Sequence, residues 1–359
     1  MEKCPAIPIG LFITAAMIVP FCYSKFSYDK PPTTSNRSSN DDNRMEDEGS
    51  NRKTYRAVKS PNVINISDYF DHTLLKTDAT IDQVDALCAE AVQYNFGSVC
   101  VNSVYVPRVS ANFKAAGTDM RICAVIGFPL GAMSTPAKVY EAKMCIENGA
   151  NEIDMVIQVG LLKSQRYEDV YNDILAVVDI CHNTHHHNKL LNHHHHHYSK
   201  HPYVICKVIL ETCLLTLEEI EVVSHLCGKA GADYIKTSTG FSASGASVMG
   251  VELMAHSAEQ YTRNIPLDVT GMEFTNHTMQ VKASGGIRDG ATAVRMIQAG
   301  LHLDHPQSMV TRLGTSSSVK ILQDWSDLGI NNVDDLNAYM GQLSANTSVD
   351  GAPSDPSTY

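Results

Sequence analysis

The chain has 359 residues, of which 43% are hydrophobic and 19% are charged, proportions typical of a globular protein that can bury a large core. The formal net charge is −11 and no basic cluster opposes it, which argues against a nucleic-acid-binding surface. The ten cysteines are scattered without a CxxC pair. We therefore expect reduced, buried, small hydrophobic side chains of an intracellular fold, including Cys100, Cys123, Cys206 and Cys213.

The first 60 residues stand apart from the rest in composition. Residues 1–25 contain an apolar run, Pro5–Tyr23, that is short for a spanning helix and interrupted by prolines. It resembles the hydrophobic part of a signal peptide or anchor, and the alternative is an extension that targets nothing. Residues 26–60 are polar and low in aliphatic residues, as in a disordered linker. We expect the folded domain to cover residues 61–345.

Strand-like and helix-like segments alternate through this domain. The predicted strand segments are Asp71–Leu74, Gly97–Asn102, Arg121–Gly127, Asn151–Ile157, Tyr203–Thr212, Tyr234–Gly240, Met279–Arg288 and Met309–Gly314. The predicted helices, several of which end with a glycine just past the last turn, are Ile81–Tyr94, Pro136–Asn148, Glu218–Ala230 and Ala291–Ala299. Repeated βα units with buried parallel strands indicate an α/β protein, a (β/α)8 TIM barrel.

A doubly wound sheet is the competing fold. The barrel is favoured because polar residues recur within many of the strands, and a barrel brings them to one interior, whereas an open sheet spreads them over one face. The residues expected to converge are Cys100, Asn102, Asp154, Lys207, Lys236 and Lys282.

A histidine-rich stretch interrupts the alternation at residues 182–201 and includes His193–His197 in a row. Metal binding is the obvious functional interpretation. A homopolymeric run lacks fixed ligand geometry and supporting partners, so we interpret it as a low-complexity loop with weak, adventitious metal affinity. No catalytic metal is expected.

Two lysines lie within predicted strands. On its own, Lys236 is equally consistent with a strand end that reaches solvent and with a buried nucleophilic amine. Lys282 favours the second interpretation, because two cations in one space repel each other and favour a neutral amine on one of them. Asp154 adds a carboxylate that can move protons or form a buried ion pair with Lys207 or Lys282. Each residue alone is a weak signal, but the set indicates Schiff-base chemistry.

Glycine-containing loops follow the last three strands. Such loops after late barrel strands commonly bind phosphate through backbone N–H groups, and the alternative is tight turns that need positive φ. Three such loops together favour an anion-binding site over tight turns alone. The candidate phosphate-binding residues are Thr239, Gly240, Gly285, Gly286, Gly314, Ser316 and Ser317.

Several segments, in order along the chain, resemble the deoxyribose-phosphate aldolase family. They are Phe70–Leu75, Val99–Asn102, Gly127–Gly131, Asn151–Val156, Lys207–Thr212, Ile235–Phe241, Val281–Arg288 and Gly314–Ser317. The resemblance implies an aldehyde-lyase of deoxyribonucleotide catabolism that needs no metal and no cofactor. It would cleave 2-deoxy-D-ribose 5-phosphate to acetaldehyde and D-glyceraldehyde 3-phosphate through a Schiff base.

The resemblance also assigns roles by position. It makes Lys236 the Schiff-base lysine, Lys282 the lysine that perturbs it, and Asp154 the carboxylate that moves protons with a bound water. Lys207 would be a further buried lysine of the charge network. Lys207, Cys100 and Asn102 are also candidate substrate-binding residues. The chain departs from the family's pattern at Gln158, often asparagine there, in the longer segment from Ile265 to Thr278, in the histidine-rich loop and in the first 60 residues.

Other functions stay open at this point. One is a related lysine aldolase with another phosphorylated aldehyde, and another is a non-catalytic interaction protein. The family default is the cytoplasm, whereas residues 5–23 suggest secretory or organellar entry and leave a membrane contact open. A homo-oligomer also stays open. The tail, residues 346–359, is expected to be mobile; its terminal Tyr359 is either incidental or a visitor to the site, as in some family members.

Overall fold

The computed structural model describes residues 64–183, 203–263, 277–301 and 308–347. The predicted N-terminal segment and linker, the run His193–His197 and the terminal Tyr359 lie outside these ranges. Within them, no helix is both long enough and apolar enough to cross a membrane.

Eight parallel strands close into a barrel. Their bounds are β1 Phe70–Leu74, β2 Ser98–Asn102, β3 Arg121–Ile126, β4 Glu152–Val156, β5 Ile205–Ile209, β6 Tyr234–Lys236, β9 Gln280–Ser284 and β10 Val310–Thr315. Around the barrel they follow the order β1–β10–β9–β6–β5–β4–β3–β2, so that the first and last strands of the chain pair with each other. The predicted (β/α)8 barrel is confirmed, and the doubly wound sheet is excluded.

Helices surround the barrel. They are α1 Ile81–Tyr94, α2 Val106–Ala116, α3 Thr135–Glu147, α4 Val159–Lys163, α5 Tyr167–His182, α6 Leu217–Ala230, α7 Val248–Ala258, α8 Gly290–Ala299, α9 Ser318–Leu328 and α10 Val333–Thr347. Local sequence explains several of the starts. Thr80 and Gln83 form a capping box at α1, and Thr216 and Glu219 do so at α6. Pro136 lies in the first turn of α3, where its missing N–H costs nothing.

The hydrophobic core lies between the strands and the helices. Outward-facing strand residues such as Ile153, Met155 and Val281 are fully buried against helix residues such as Ile174 and Val294. Because successive side chains of a strand point to opposite faces, the residues between them point into the barrel. Polar groups therefore collect inside the barrel, at the positions that the alternation predicts.

Three local predictions need correction. Lys236 is the last residue of β6 and not a mid-strand residue, because Thr237 to Gly240 already form the loop that follows the strand. The predicted strand Tyr203–Thr212 contracts to β5, since Glu211 adopts a left-handed backbone with φ 57° that ends extended structure. Cys213 is half-buried and not buried.

The long segment before β9 begins and ends at a small antiparallel ribbon. The ribbon consists of β7, Thr262–Arg263, and β8, His277–Thr278. The hydroxyls of Thr262 and Thr278 lie 2.8 Å apart and tie its two strands together. The insertion identified from the sequence therefore starts and ends at one place on the barrel.

Candidate active site

Asp154 lies among three lysine side chains inside the barrel. Its Oδ2 accepts hydrogen bonds from Lys236 Nζ at 2.8 Å and from Lys282 Nζ at 2.7 Å, and its Oδ1 accepts one from Lys207 Nζ at 2.8 Å. Strand register explains the grouping, because Asp154 pairs with Lys207 and Lys236 pairs with Lys282 across neighbouring strands. Lys207 and Lys282 are fully buried, whereas Lys236 keeps 3% of its surface exposed.

Below this group lies a second layer of charges that the sequence analysis did not identify. Asp71 Oδ2 is 2.5 Å from Lys282 Nζ, and Glu152 Oε2 is 2.6 Å from Lys207 Nζ. Arg312 donates to Glu152 Oε1 at 3.1 Å. Strand alternation could have found Glu152, because it lies two residues before Asp154 and so faces the same interior.

The lysines control the ionisation of Asp154. Burial alone would raise the pKa of this carboxyl, but attraction to Lys207, Lys236 and Lys282 outweighs burial and holds the pKa well below its usual range. In the same way, burial would lower the pKa of Lys282, yet Asp154 and Asp71 raise it above its usual range. Lys282 is therefore a fixed cation beside Lys236.

Lys236 and Lys282 lie close together inside the barrel, as the sequence predicts, but a negative charge lies between them. Both contact the same oxygen of Asp154, so a carboxylate offsets much of the expected repulsion. The predicted ion pair of Asp154 with Lys207 or Lys282 is present with both lysines at once. Proton movement and charge pairing are thus compatible functions of one side chain.

Two cysteines adjoin the charge group. Cys100 and Cys123 are opposite each other on β2 and β3, and Cys123 Sγ lies 3.0 Å from Asp154 Oδ1. The hydrogen bond from Cys123 lowers the pKa of the Cys100 thiol. In the described part of the chain, Cys100, Cys123 and Asp154 form one of two groups whose ligand atoms are close enough to share a metal ion. Asp154 already pairs with three lysines, whose charge opposes a further cation.

Asn102 ends β2 and does not join the charge group. Its side-chain nitrogen donates to the carbonyl of Leu75 at 3.5 Å, and its side chain is half-buried. Cys100 and Asn102 face the same side of β2 because they are two residues apart. Asn102 therefore lies toward the open end of the barrel, and its role toward a substrate stays a prediction.

The three candidate phosphate loops lie side by side, because β6, β9 and β10 are neighbours in the barrel. Thr237 Oγ1 donates to the carbonyl of Ser284 at 2.9 Å, and Ser284 Oγ donates to that of Ser238 at 2.6 Å. Thr315 Oγ1 donates to the carbonyl of Ile287 at 2.7 Å. Side-chain hydrogen bonds therefore join the three loops into one rim.

Glycine is required at two points of this rim. A Cβ at Gly314 would lie 3.0 Å from Lys282 Cε, so a larger residue would crowd the lysine. Gly285 has φ 85°, and a Cβ on it would lie 2.8 Å from the Cα of Gly245. The remaining predicted loop residues, Gly240, Gly286, Ser316 and Ser317, occupy the same rim.

Glu211 is a further residue that the sequence analysis did not identify. It is 4% exposed, and its carboxylate accepts hydrogen bonds from both the N–H and the hydroxyl of Thr239. Its left-handed backbone is unusual for a residue with a side chain. Glu211 thereby holds the loop that directly follows Lys236. Outside glycine this conformation is enriched mainly at asparagine, aspartate and histidine, so a glutamate does not predict it.

Comparison with known proteins agrees with this geometry. Residues 66–304 match the profile of the DeoC/LacD family aldolases. The chain is 44% identical over 258 residues to a deoxyribose-phosphate aldolase from Carboxydothermus hydrogenoformans, covering 72% of this chain and 94% of that protein. It is 41% identical over 260 residues to one from Streptococcus pneumoniae, covering 72% of this chain and 96% of that protein.

Solved structures show the same architecture. The tetrameric deoxyribose phosphate aldolase from Aeropyrum pernix is 30% identical, with a TM-score of 0.56 over 73% of this chain and 92% of that one. Sequence identity and structural similarity therefore indicate the same family over the barrel domain.

Proposed function

Because this chain belongs to the DeoC/LacD family of aldolases, we propose that it is a deoxyribose-phosphate aldolase that cleaves 2-deoxy-D-ribose 5-phosphate. The products are acetaldehyde and D-glyceraldehyde 3-phosphate, and the reaction belongs to deoxyribonucleotide catabolism. The single observation that carries the proposal is the contact of Lys236 and Lys282 with one carboxylate oxygen of Asp154 inside the barrel.

Lys236 is the nucleophile in this proposal. The fully or nearly buried group holds four cations, Lys207, Lys236, Lys282 and Arg312, against three carboxylates, Asp71, Glu152 and Asp154. The group becomes neutral if one amine gives up its proton. Lys236 suits the role of nucleophile, because within the described residues its ion pair is with Asp154 alone, whereas Lys282 pairs with Asp154 and Asp71.

The reaction follows from these positions. The Lys236 amine adds to the C1 aldehyde of the open-chain sugar, and loss of water gives an iminium. Removal of the C3 hydroxyl proton breaks the C2–C3 bond, releases glyceraldehyde 3-phosphate and leaves an enamine on Lys236. Protonation at C2 and hydrolysis of the iminium release acetaldehyde and restore the amine. Asp154 lies 2.8 Å from Lys236 Nζ and, with a water, carries protons between these steps.

The glycine rim is the proposed phosphate site. Its loops lie at the carboxyl ends of β6, β9 and β10, where barrels of this type commonly bind phosphate. Backbone N–H groups of Gly285, Gly286 and Ser316 would receive the anion, and glycine allows a close approach. The fixed charge of Lys282 attracts the anion to this side of the barrel.

Reductive trapping tests the proposal. The protein is incubated with 2-deoxyribose 5-phosphate and borohydride, which reduces the C=N bond, and the modified residue is located by mass spectrometry. We expect one adduct, on Lys236, and neither adduct nor turnover in Lys236→Leu. The control Lys229→Leu, which removes an exposed lysine, should keep both. An adduct on another lysine would overturn the assignment, and an unmodified, inactive wild type would favour a non-catalytic protein.

Location and assembly are further parts of the proposal. We propose the cytoplasm, since the described cysteines are free, as in a reducing compartment. Fluorescent fusions with and without residues 1–25 would test it, because entry into an organelle only when these residues are present would contradict it. The tetrameric relative supports a homo-oligomer, and light scattering of the purified protein gives the number of subunits.

A further inference from the structure

A buried histidine connects the outside of the barrel to the proposed phosphate rim. Asp71 points into the barrel, so its neighbour His72 points outward toward the helices. His72 is 3% exposed; its Nε2 lies 2.9 Å from Glu90 Oε2 on α1, and its Nδ1 lies 3.0 Å from Ser318 Oγ. Its ring also packs against Phe96, with a centroid distance of 5.1 Å.

The direction of these hydrogen bonds can be deduced. A carboxylate only accepts hydrogen bonds, so Nε2 of His72 carries a hydrogen and donates it to Glu90. Burial lowers the pKa of His72 and favours the neutral ring, which leaves Nδ1 as an acceptor. The Ser318 hydroxyl therefore donates to His72. Its other acceptor, the carbonyl of Thr315, is more distant at 3.4 Å.

Ser318 is well placed to hold the last loop of the rim. It is fully buried, is the first residue of α9 and directly follows the segment Gly314–Ser317, which runs from the last two residues of β10 into the loop before the helix. Thr315 fixes the start of this loop to Ile287, and Ser318 fixes its end to β1 through His72. Between the two attachments lie Ser316, which is exposed, and Ser317, which is half-buried. Ser317 donates its N–H to Thr315 Oγ1 at 2.9 Å, which leaves the exposed Ser316 and the Ser317 hydroxyl as the groups placed to contact an anion.

The array of Ser318, His72 and Glu90 has the residue types of a hydrolase triad, but it cannot act as one. A nucleophilic serine must reach the substrate, and Ser318 has no exposed surface. The acid is instead the exposed member, since the Glu90 side chain is 49% accessible. The arrangement therefore serves to hold a loop.

We propose that His72 is a positioning residue for phosphate recognition: its hydrogen bond to Ser318 keeps Gly314–Ser317 in the conformation that receives the phosphate of the substrate. This inference rests on the proposed function for the phosphate itself. It adds a residue outside the barrel interior, with no contact to the reacting atoms, that sets the preference for a phosphorylated sugar over an unphosphorylated one.

The experiment compares two substrates and one anion. Kinetic constants of His72→Phe are measured for 2-deoxyribose 5-phosphate and for 2-deoxyribose, and inorganic phosphate is titrated by calorimetry. We expect KM for the phosphorylated sugar and Kd for phosphate to rise by about five- to twentyfold, the size of one lost buried hydrogen bond. The kcat for that sugar and kcat/KM for 2-deoxyribose should stay within about twofold. His72→Asn, whose side-chain oxygen can accept from Ser318, should restore most of the affinity.

Two further variants complete the test. His225→Phe makes the same change at a histidine of α6 whose Nδ1 lies 2.9 Å from the Tyr261 hydroxyl, and it should alter the kinetic constants of neither sugar. Ser318→Ala removes only the hydroxyl that donates to His72, and it should reproduce the selective loss of affinity for the phosphorylated sugar. The proposal therefore stays testable even if His72→Phe misfolds. Equal losses for both sugars would reduce His72 to a structural residue, and unchanged phosphate affinity would overturn the proposal. If the wild type cleaves no sugar, the proposed function fails, while phosphate titration still decides the role of His72.

Discussion

Asp154 is, among the described residues, the carboxylate that contacts all three buried lysines of the barrel. Asp154→Asn keeps the size of the side chain but removes its charge and its capacity to accept a proton. We expect kcat to fall by a factor on the order of 10²–10⁴, because one proton-transfer group is lost, with a much smaller change in KM. Steady-state kinetics with 2-deoxyribose 5-phosphate checks this. An unchanged kcat would exclude Asp154 from proton transfer.

Lys282 allows a second test on a single residue, because in the proposed mechanism it supplies a positive charge next to Lys236 without forming the adduct. Its pKa is raised by Asp154 and Asp71 in spite of burial, so it stays charged throughout the neutral range. Lys282→Leu removes this cation and leaves Asp154 to stabilise the charged form of Lys236. We expect kcat/KM at pH 7 to fall by about ten- to a hundredfold and the pH–rate profile to move to higher pH.

The pH–rate profile separates two explanations for a loss at Lys282. Recovery of activity at high pH indicates an effect on the protonation of Lys236. A loss of the same size at every pH would show instead that Lys282 only positions the substrate. Borohydride trapping on Lys236 should persist in this variant at alkaline pH.

At the scale of elements, a buried ion pair joins α3 and α5 to the end of β4. Lys138 Nζ lies 2.6 Å from Asp173 Oδ2 and donates to the carbonyl of Val156 at 2.8 Å. Burial lowers the pKa of Lys138, which Asp173 opposes. Asp173→Asn leaves a buried ammonium without its counter-charge, so the free energy of unfolding should fall by about 3–5 kcal/mol in denaturant titrations.

An exposed pair on the same helix provides the control. Lys143 and Glu147 lie 3.7 Å apart on α3, and Glu147→Gln should change the free energy of unfolding by less than about 1 kcal/mol. The double variant Lys138→Met with Asp173→Leu should recover much of the loss, since neither of the two positions then carries a buried charge. Equal small effects at both pairs would show that the buried pair is unimportant for stability.

For the whole molecule, the buried carboxylates predict how stability depends on pH. Burial would raise the pKa of Asp71 and Glu152, but the neighbouring lysines and Arg312 lower both below their usual values, as the lysines do for Asp154. Below about pH 4 the unfolded chain binds protons at these carboxylates while the folded chain does not. The free energy of unfolding should therefore stay nearly constant from pH 7 to 5 and then fall by about 1.4 kcal/mol per pH unit for each carboxylate.

Equilibrium unfolding in denaturant at pH values from 7 to 3 measures this dependence. Glu152→Gln removes one of the three carboxylates, so its stability should decline less steeply in acid than that of the wild type. A stability that is flat down to pH 3 would mean that these groups keep ordinary pKa values in the folded protein.

Much of the architecture is predictable from the chain alone because its signals are local or periodic. The alternation of strand-like and helix-like segments predicts the barrel, and α1 spans the predicted range Ile81–Tyr94. The convergence of Asp154, Lys207, Lys236 and Lys282 follows from closing a barrel over polar strand positions. These predictions need only the periodicity of each element and the topology that joins the elements.

The missed features depend on contacts between distant residues. Glu211, with its left-handed backbone, binds through its carboxylate the loop of Thr239, 28 residues later in the chain. His72 forms a hydrogen bond with Ser318, 246 positions away in the sequence, and no sequence motif at either residue predicts this contact. Lys236 and Lys282 both pair with a single oxygen of Asp154, and this depends on side-chain geometry that the sequence does not specify. The sequence therefore predicts repulsion between the two lysines, whereas the structure shows that they share a carboxylate partner.

The pairing of β1 with β10 has a consequence for the newly made chain. Translation delivers the carboxylates Asp71, Glu152 and Asp154 first, and of the four cations of the group inside the barrel only Lys207 belongs to that half. Lys236, Lys282 and Arg312 emerge later, so a nascent half-barrel is acidic inside, and its missing counter-charges are carried by the other half. A split enzyme divided between β5 and β6 should reassemble from its two inactive pieces. Aldehyde production then begins only when synthesis of the barrel is complete.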